Sequence, residues 1–252
     1  MPNKRVTRRR LITSAIGAAA VASVAPPWAH ADTNDVDALL VLAADISRSV
    51  DSEKFRLQRD GYVAAITDRE VLSAIKRGKL QRIALCFLEW SGAGEQYRVA
   101  DWSQIGTAAQ QTSFAHQIRE APRAFAGRTS ISTAIDTSLA ELARAPFKSE
   151  RKLIDVSGDG THNSGRSLSD ARDEALAKDV TINGLVILSA VPLAFNPAHT
   201  HPLGGLLSYF ENNVIGGPQS FAIAADNFES FGQSIRTKLI REIASAHQPR
   251  RA

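Results

Sequence analysis

The sequence predicts an α/β fold: a doubly wound, mostly parallel six-stranded sheet flanked by helices, with one short antiparallel edge strand. Two observations predict this fold. Apolar runs of strand length alternate with segments whose apolar residues recur at helical spacing, which is typical of βα units. The chain has 252 residues, of which 44% are hydrophobic and 22% charged, so it can build a sizeable core. We therefore expect residues 32–252 to form one domain.

Residues 1–31 differ from the rest of the chain and are predicted to be a signal peptide. An apolar segment over 11–25 is followed by Ala29-His30-Ala31, which has the A-x-A form of a cleavage site. The segment is short for a membrane span, so a retained anchor is disfavoured. Five basic residues and no acid precede the apolar segment: Lys4, Arg5, Arg8, Arg9 and Arg10.

The pair Arg8-Arg9 resembles a twin-arginine export signal, and an ordinary secretory signal is the alternative. Either route predicts a periplasmic or secreted protein without a membrane span after cleavage. Cleavage would remove five of the 30 Lys and Arg and none of the 26 Asp and Glu, leaving 25 − 26 = −1. The net charge of +4 therefore belongs to the leader, and nucleic-acid binding is not expected.

The first strand and helix of the domain are predicted from two different apolar patterns. Residues 38–44 are apolar without alternation, which indicates a strand over 38–45 that is buried on both faces. Phe55, Tyr62 and Ile66 recur at helical spacing and predict a helix over 52–67. The loop between these elements follows the carboxyl end of a strand, where open α/β sheets bind ligands.

Two strands are predicted next, over 82–89 and 96–100. The connection between them, Ser91–Gly94, is too short for a crossover, so the pair should be antiparallel and the second strand should lie at an edge. Cys86, the single cysteine, lies in the first of these strands and is expected to be a buried core residue without a redox role. Residues 106–125 are polar and alanine-rich and predict an exposed helix.

The second half of the domain continues the alternation. Ile131, Ile135, Leu139 and Leu142 predict an amphipathic helix. Residues 191–205 contain three prolines and are the least regular stretch. Asp226 and Glu229 resemble a capping box at the start of the closing helix. The remaining predicted elements are strands over 152–157, 180–188 and 220–224 and helices over 167–178, 206–213 and 226–246.

Oxygen donors follow the first strand at alternate positions: Asp45, Ser47 and Ser49. A carboxylate and two hydroxyls on a tight loop suit a small hard cation such as Mg²⁺, which prefers oxygen ligands and keeps bound water. The alternative is that Asp45 only ends the strand while Ser49 or Asp51 caps the next helix. Further oxygen donors on other strand-end loops would favour the metal site.

Two such donors are present. Thr129 follows Gly127 just before a helix, and Asp159 lies between Gly158 and Gly160 directly after a buried strand. Each of these loops could bring an oxygen to the same end of the sheet. Asp45-x-Ser47-x-Ser49, Gly127-x-Thr129 and Ser157-Gly-Asp159-Gly together resemble the metal-ion-dependent adhesion site of von Willebrand factor A domains. The sequence from Asp155 to Gly160 is most similar to an exported bacterial family of such domains with no established function.

The resemblance implies roles for these five residues. Ser47 and Ser49 would bind the ion directly, Thr129 directly or through water, and Asp45 and Asp159 mostly through water. Mg²⁺ is the ion expected, with Mn²⁺ or Ca²⁺ as alternatives, and a coordination position would stay open for an Asp or Glu of a partner protein. Three further residues could line the rim of the site: Arg48, His162 and Asn163.

The function expected is therefore an exported, metal-dependent adhesion-type module and not an enzyme. A metal-dependent hydrolase is one alternative, with His162 as the candidate general base. A metal-free structural domain is the other. His199 and His201 are expected to be solvated, because two histidines without a third ligand rarely bind metal. Asp155 lies within a buried strand and requires a partner that the sequence does not identify.

Overall fold

The computed structural model describes residues 34–244. The predicted leader over 1–31, with Arg8 and Arg9, and the end of the closing helix lie outside these residues. Within 34–244, no helix combines the length and the apolar character needed to cross a membrane. The strands are β1 Leu39–Asp45, β2 Ile83–Trp90, β3 Gln96–Ile105, β4 Lys152–Gly158, β5 Val180–Ile187 and β6 Ala222–Ala225. The helices are α1 Ser52–Ile66, α2 Arg69–Lys76, α3 Ala108–Glu120, α4 Ile131–Arg144, α5 Leu168–Ala177, α6 Pro197–Thr200, α7 Leu206–Asn213 and α8 Phe231–Ala244.

The strands form one six-stranded sheet in the order β3-β2-β1-β4-β5-β6. All neighbours are parallel except β2 and β3, which are antiparallel. The predicted α/β fold with an antiparallel edge strand is therefore confirmed. β2 lies on one side of β1 and β4 lies on the other, so the order of the strands reverses between β1 and β4. The carboxyl ends of these two strands therefore flank the topological switch point of the sheet.

Both faces of the sheet are covered, which explains why β1 is apolar throughout. Leu40, Leu42 and Ala44 pack into one core cluster with α1, α2, α3 and α8. Leu39, Val41 and Ala43 pack into a second cluster with α4, α5 and α7. Successive side chains of a strand point to opposite faces, so a strand between two helical layers must be apolar at every position.

Cys86 lies on β2 in the second cluster and is fully buried. Burial raises the pKa of its thiol to about 12, and the nearby Glu141 carboxylate adds to this rise. Such a thiol is protonated at neutral pH, so the structure agrees with a packing role.

Several boundaries differ from the predictions. β3 runs to Ile105 and is not short, and α2 was not predicted. The helix within 106–125 is not simply exposed, because Phe114 and Ile118 of α3 enter the core. α8 begins at Phe231, because Asn227 and Ser230 form reciprocal side-chain-to-backbone hydrogen bonds in a turn that precedes it. The proposed capping residues Asp226 and Glu229 are therefore wrong.

Candidate metal site

The β1–α1 loop carries three buried oxygen donors. Asp45, Ser47 and Ser49 are 0%, 1% and 8% exposed. The Ser47 backbone N–H donates to Asp45 Oδ1 at 2.7 Å, which tightens the loop, and the Ser47 and Ser49 hydroxyls lie 3.2 Å apart. Asp51 caps α1 by accepting from two backbone N–H groups. Helix capping therefore does not account for Ser49.

The loop before α4 brings a fourth donor to the same place. Thr129 is 2% exposed, and its backbone N–H donates to Asn163 Oδ1 at 3.0 Å. Gly127 lies against Glu95, where a Cβ would come within 1.7 Å of the carboxylate. The Gly127 carbonyl accepts from the Arg48 backbone N–H at 3.0 Å. The absence of a side chain at Gly127 thus permits this loop to pack closely and to form a hydrogen bond with the β1–α1 loop.

The loop after β4 completes the cluster. Asp159 is 2% exposed, and its Oδ1 accepts a hydrogen bond from the Ser49 hydroxyl at 2.5 Å. The backbone N–H groups of Asn163 and Ser164 donate to the Thr129 carbonyl. Three loops that are distant in sequence are thereby joined at the carboxyl ends of β1 and β4. The structure places all five predicted donors, Asp45, Ser47, Ser49, Thr129 and Asp159, in one buried cluster.

The two acids of this cluster lack compensation. Asp45 Oδ2 and Asp159 Oδ2 are buried and have no hydrogen-bond partner, and within residues 34–244 neither acid forms an ion pair. Burial raises the pKa of both carboxyl groups, and repulsion by Asp159 raises the pKa of Asp45 further. Arg123 lowers the pKa of Asp45, and Lys54 and His199 lower that of Asp159, through charge interactions without an ion pair. A buried carboxylate without a counter-ion is costly, so the cluster fits a cation.

Other buried acids of the fold do have cations. Glu89 accepts two hydrogen bonds from Arg59, at 2.7 and 2.9 Å. Asp155 lies 2.6 Å from Lys238 Nζ, which identifies the partner that the sequence did not. Glu242 lies 2.5 Å from the same ammonium.

The predicted rim residues fall into two groups. Arg48 and Asn163 line a cavity of about 510 Å³ that opens next to Ser49 and Thr129. His162 does not line this cavity, and its Nε2 lies 3.0 Å from the Arg166 carbonyl. The imidazole must therefore donate to a carbonyl, and this placement argues against His162 as the general base of a hydrolase.

His199 is the residue that sequence reasoning missed. It is 5% exposed and not solvated as expected, whereas His201 is exposed. Its Nε2 lies 3.3 Å from Thr129 Oγ1, and burial lowers the pKa of the ring while Asp159 opposes this effect. Gly160 was the available signal, because a Cβ there would lie 2.2 Å from the imidazole. Within 34–244, no group of three or more His, Cys, Asp or Glu forms a metal site, so any site here depends on hydroxyl oxygens.

Comparisons with known proteins agree with this architecture. A family model described as "Protein of unknown function (DUF1194)" matches residues 35–247. No curated protein sequence shows significant similarity to the chain. Among solved structures, the chain resembles the pilus adhesin SpaC from Lactobacillus rhamnosus GG, with a TM-score of 0.57 and 15% identity over 85% of this chain and 31% of that one.

Two further structures support the same fold. Proximal thread matrix protein 1 from the mussel byssus, with a zinc-occupied MIDAS motif, gives a TM-score of 0.56 and 12% identity over 82% of this chain and 46% of that one. The von Willebrand factor type A protein from Catenulispora acidiphila gives 0.54 and 12% over 82% and 43%. The chain spans less than half the length of these three solved proteins. The fold is that of a von Willebrand factor A domain.

Proposed function

Since the chain belongs to the DUF1194 family and has a von Willebrand factor A fold, we propose that it is an exported module that binds a divalent cation and, through it, an acidic residue of a partner protein. The observation that carries this proposal is the pair of buried, unpartnered carboxylate oxygens of Asp45 and Asp159 beside three buried hydroxyls. The pilus adhesin and the zinc-occupied mussel protein support it by analogy.

The residues divide into two roles. The Ser47, Ser49 and Thr129 hydroxyls would hold the ion, and the Asp45 and Asp159 carboxylates would neutralise it from behind. A bound divalent cation would supply an electrophilic centre for an external carboxylate. Neutral hydroxyls in the inner position favour this use, because they leave the charge of the ion available to an incoming anion. On the oxygen donors alone Mg²⁺ is the expected ion, with Mn²⁺ or Ca²⁺ as alternatives.

The rim supports an acidic partner. Arg48 and Arg128 both line the cavity and both are exposed, so they present positive charge to an approaching molecule. Such rim charges mainly steer association and select against basic partners. The cavity is open to solvent beside Ser49 and Thr129, so a partner's side chain could reach the hydroxyl cluster.

Thermal or denaturant unfolding of the chelator-treated protein, with and without MgCl₂, MnCl₂ or CaCl₂, tests the metal site. Binding to the native state alone should stabilise it by about 2.7 kcal/mol at an ion concentration 100 times Kd. We expect this rise to be lost in Ser47→Ala and Asp159→Ala and kept in Ser113→Ala, which alters an exposed serine on α3. If no ion stabilises the wild type, the metal-free structural alternative is preferred.

Partner recognition is tested separately, with short peptides that differ only in Asp against Asn or Glu against Gln. We expect the acidic member of each pair to bind more tightly, and only when the cation is present. Equal binding of acid and amide, or binding that survives a chelator, would contradict carboxylate recognition while leaving the metal site intact.

Export forms part of the proposal through the basic and apolar residues of 1–31. Replacing Arg8 and Arg9 by Lys keeps the charge of this segment but removes the arginine pair. We expect export of the full chain to stop if the route is twin-arginine. Undiminished export of the variant would favour an ordinary secretory route.

A further inference from the structure

The irregular segment 188–205 between β5 and α7 places one of its histidines against the candidate metal site. His199 is 5% exposed and lines the same cavity as Ser49 and Thr129. Its neighbour in the segment, His201, is exposed to solvent. One of the two histidines is thus withdrawn from water and directed at the cluster.

Contacts on the far side of the ring hold His199 in this position. Its carbonyl accepts from the Thr161 backbone N–H at 2.9 Å, and its Nδ1 lies 3.3 Å from Thr161 Oγ1 and 3.4 Å from Asn163 Nδ2. Gly160 provides the space that the ring occupies, since a Cβ there would lie 2.2 Å from Nε2. For Nε2 to present its lone pair toward Thr129, Nδ1 must carry the proton and donate it to the Thr161 hydroxyl, because the Asn163 amide nitrogen is itself a donor.

The spacing of the donor atoms fits a shared ion. His199 Nε2 and Thr129 Oγ1 are 3.3 Å apart, and the Ser47 and Ser49 hydroxyls are 3.2 Å apart. Two ligands at about 2.1 Å from one cation are separated by roughly 3.0 Å at an octahedral angle and roughly 3.4 Å at a tetrahedral one. Each pair is therefore spaced as two ligands of one cation would be, which is also the spacing of a hydrogen bond within the pair.

We propose that His199 supplies a nitrogen ligand to the metal site, so that the site prefers a transition-metal ion such as Zn²⁺ or Co²⁺ to Mg²⁺. This inference rests on the proposed function, because it requires that Ser47, Ser49 and Thr129 hold a cation. Imidazole suits zinc and cobalt, whereas Mg²⁺ takes oxygen ligands almost exclusively. A polar group behind the ring, here Thr161, is the arrangement that orients a ligating histidine. The transition-metal preference replaces the Mg²⁺ expected from the oxygen donors alone.

Metal titration of the chelator-treated protein tests this proposal, with His199→Ala as the variant and His201→Ala as the matched control from the same segment. We expect His199→Ala to weaken Zn²⁺ and Co²⁺ binding by ~10- to 100-fold and to change Mg²⁺ binding by less than about 2-fold. His201→Ala should bind all three ions as the wild type does. The Co²⁺ absorption spectrum supplies a second readout, since losing a nitrogen ligand should shift its visible bands.

The outcomes separate the two proposals. If Zn²⁺ and Mg²⁺ bind the wild type, Ser47→Ala abolishes both, and His199→Ala alters neither affinity nor spectrum, the histidine proposal is overturned and the adhesion-type site stands. Equal weakening of all ions by His199→Ala also overturns it, because that pattern indicates a positioning role on Thr129. If no ion binds the wild type, both proposals fail together. Metal-free unfolding curves of each variant establish that it is folded.

Discussion

Asp155 and Asp159 lie four residues apart but belong to two different clusters of buried acids, and these clusters are compensated differently. Asp155 on β4 and Glu242 on α8 share the ammonium of Lys238, all three being at most 1% exposed. Asp159, just beyond β4, faces Asp45; its Oδ1 accepts from the Ser49 hydroxyl, and the Oδ2 atoms of both acids have no hydrogen-bond partner. One cluster contains its own cation, and the other has the charges that a cation would balance. The comparison indicates which acids serve the fold and which are available for a ligand.

The largest effect is expected from removing the internal cation. Lys238→Met leaves Asp155 and Glu242 buried without a partner, and breaking a buried ion pair in this way costs about 3–5 kcal/mol. Urea unfolding of the metal-free protein measures the loss. Lys76→Met, an exposed position on α2, is the matched control and should change stability by less than about 0.5 kcal/mol. A loss below about 1 kcal/mol for Lys238→Met would show that the cluster is not held by this cation.

An effect of opposite sign is expected in the other cluster. Asp45→Asn keeps an acceptor for the Ser47 backbone N–H but removes one of the two facing charges. The metal-free variant should therefore be more stable than the metal-free wild type, by about 1–3 kcal/mol. The same variant should gain no stability from added cation. Destabilisation of the metal-free protein by Asp45→Asn would mean that this acid already has compensation within the fold.

The sequence predicted much of the hydroxyl and carboxylate cluster because its members follow local patterns. Asp45 ends an apolar strand, Ser47 and Ser49 follow it, and Asp159 comes directly after another strand. Parallel strands that are neighbours in the sheet end at the same edge, so these residues had to lie near one another. Only long-range packing shows that Asp45 and Asp159 each leave an oxygen without a partner.

Other parts of the molecule depend on contacts that no local pattern specifies. His199 approaches Gly160 from a segment almost forty residues further along the chain, and its burial follows from how that segment folds over the site. Lys238 did carry a signal. It lies on α8 between Ile235 and Leu239, on the buried stripe, and Glu242 follows at the spacing of an ion pair. A charged pair on an apolar helix face predicts a buried partner elsewhere.

The next largest effect is expected in the pH dependence of stability, to which the cluster of Asp155, Glu242 and Lys238 should contribute. One ammonium between two carboxylates leaves a net negative charge, and burial raises the pKa of Asp155 to about 7. In the unfolded chain this pKa is about 3.9, so between those values the native state binds more protons. The free energy of unfolding should therefore fall as pH rises from about 5 to 7, and level off above 7.

Asp155→Asn isolates this contribution. The free energy of unfolding of this variant should fall less steeply with rising pH than that of the wild type. The two slopes should differ by up to about 1.4 kcal/mol per pH unit over this range. Both proteins are compared in chelator, so that the contributions of Asp45 and Asp159 are common to both. Parallel pH profiles would show that Asp155 stays ionised beside Lys238 throughout.

The smallest effect on stability, and a selective effect on binding, is expected at the rim. Arg48 is exposed, so Arg48→Ala should change the free energy of unfolding by less than about 0.5 kcal/mol. Its guanidinium borders the cavity, so the variant should associate ~2- to 5-fold more slowly with a glutamate-containing peptide at low salt. Arg56→Ala, on the exposed face of α1 and away from the cavity, is the control with the same charge change. Because salt screens rim charges, the difference between the two variants should shrink at high ionic strength. If both variants slow association equally, only the net charge matters and Arg48 has no special place at the site.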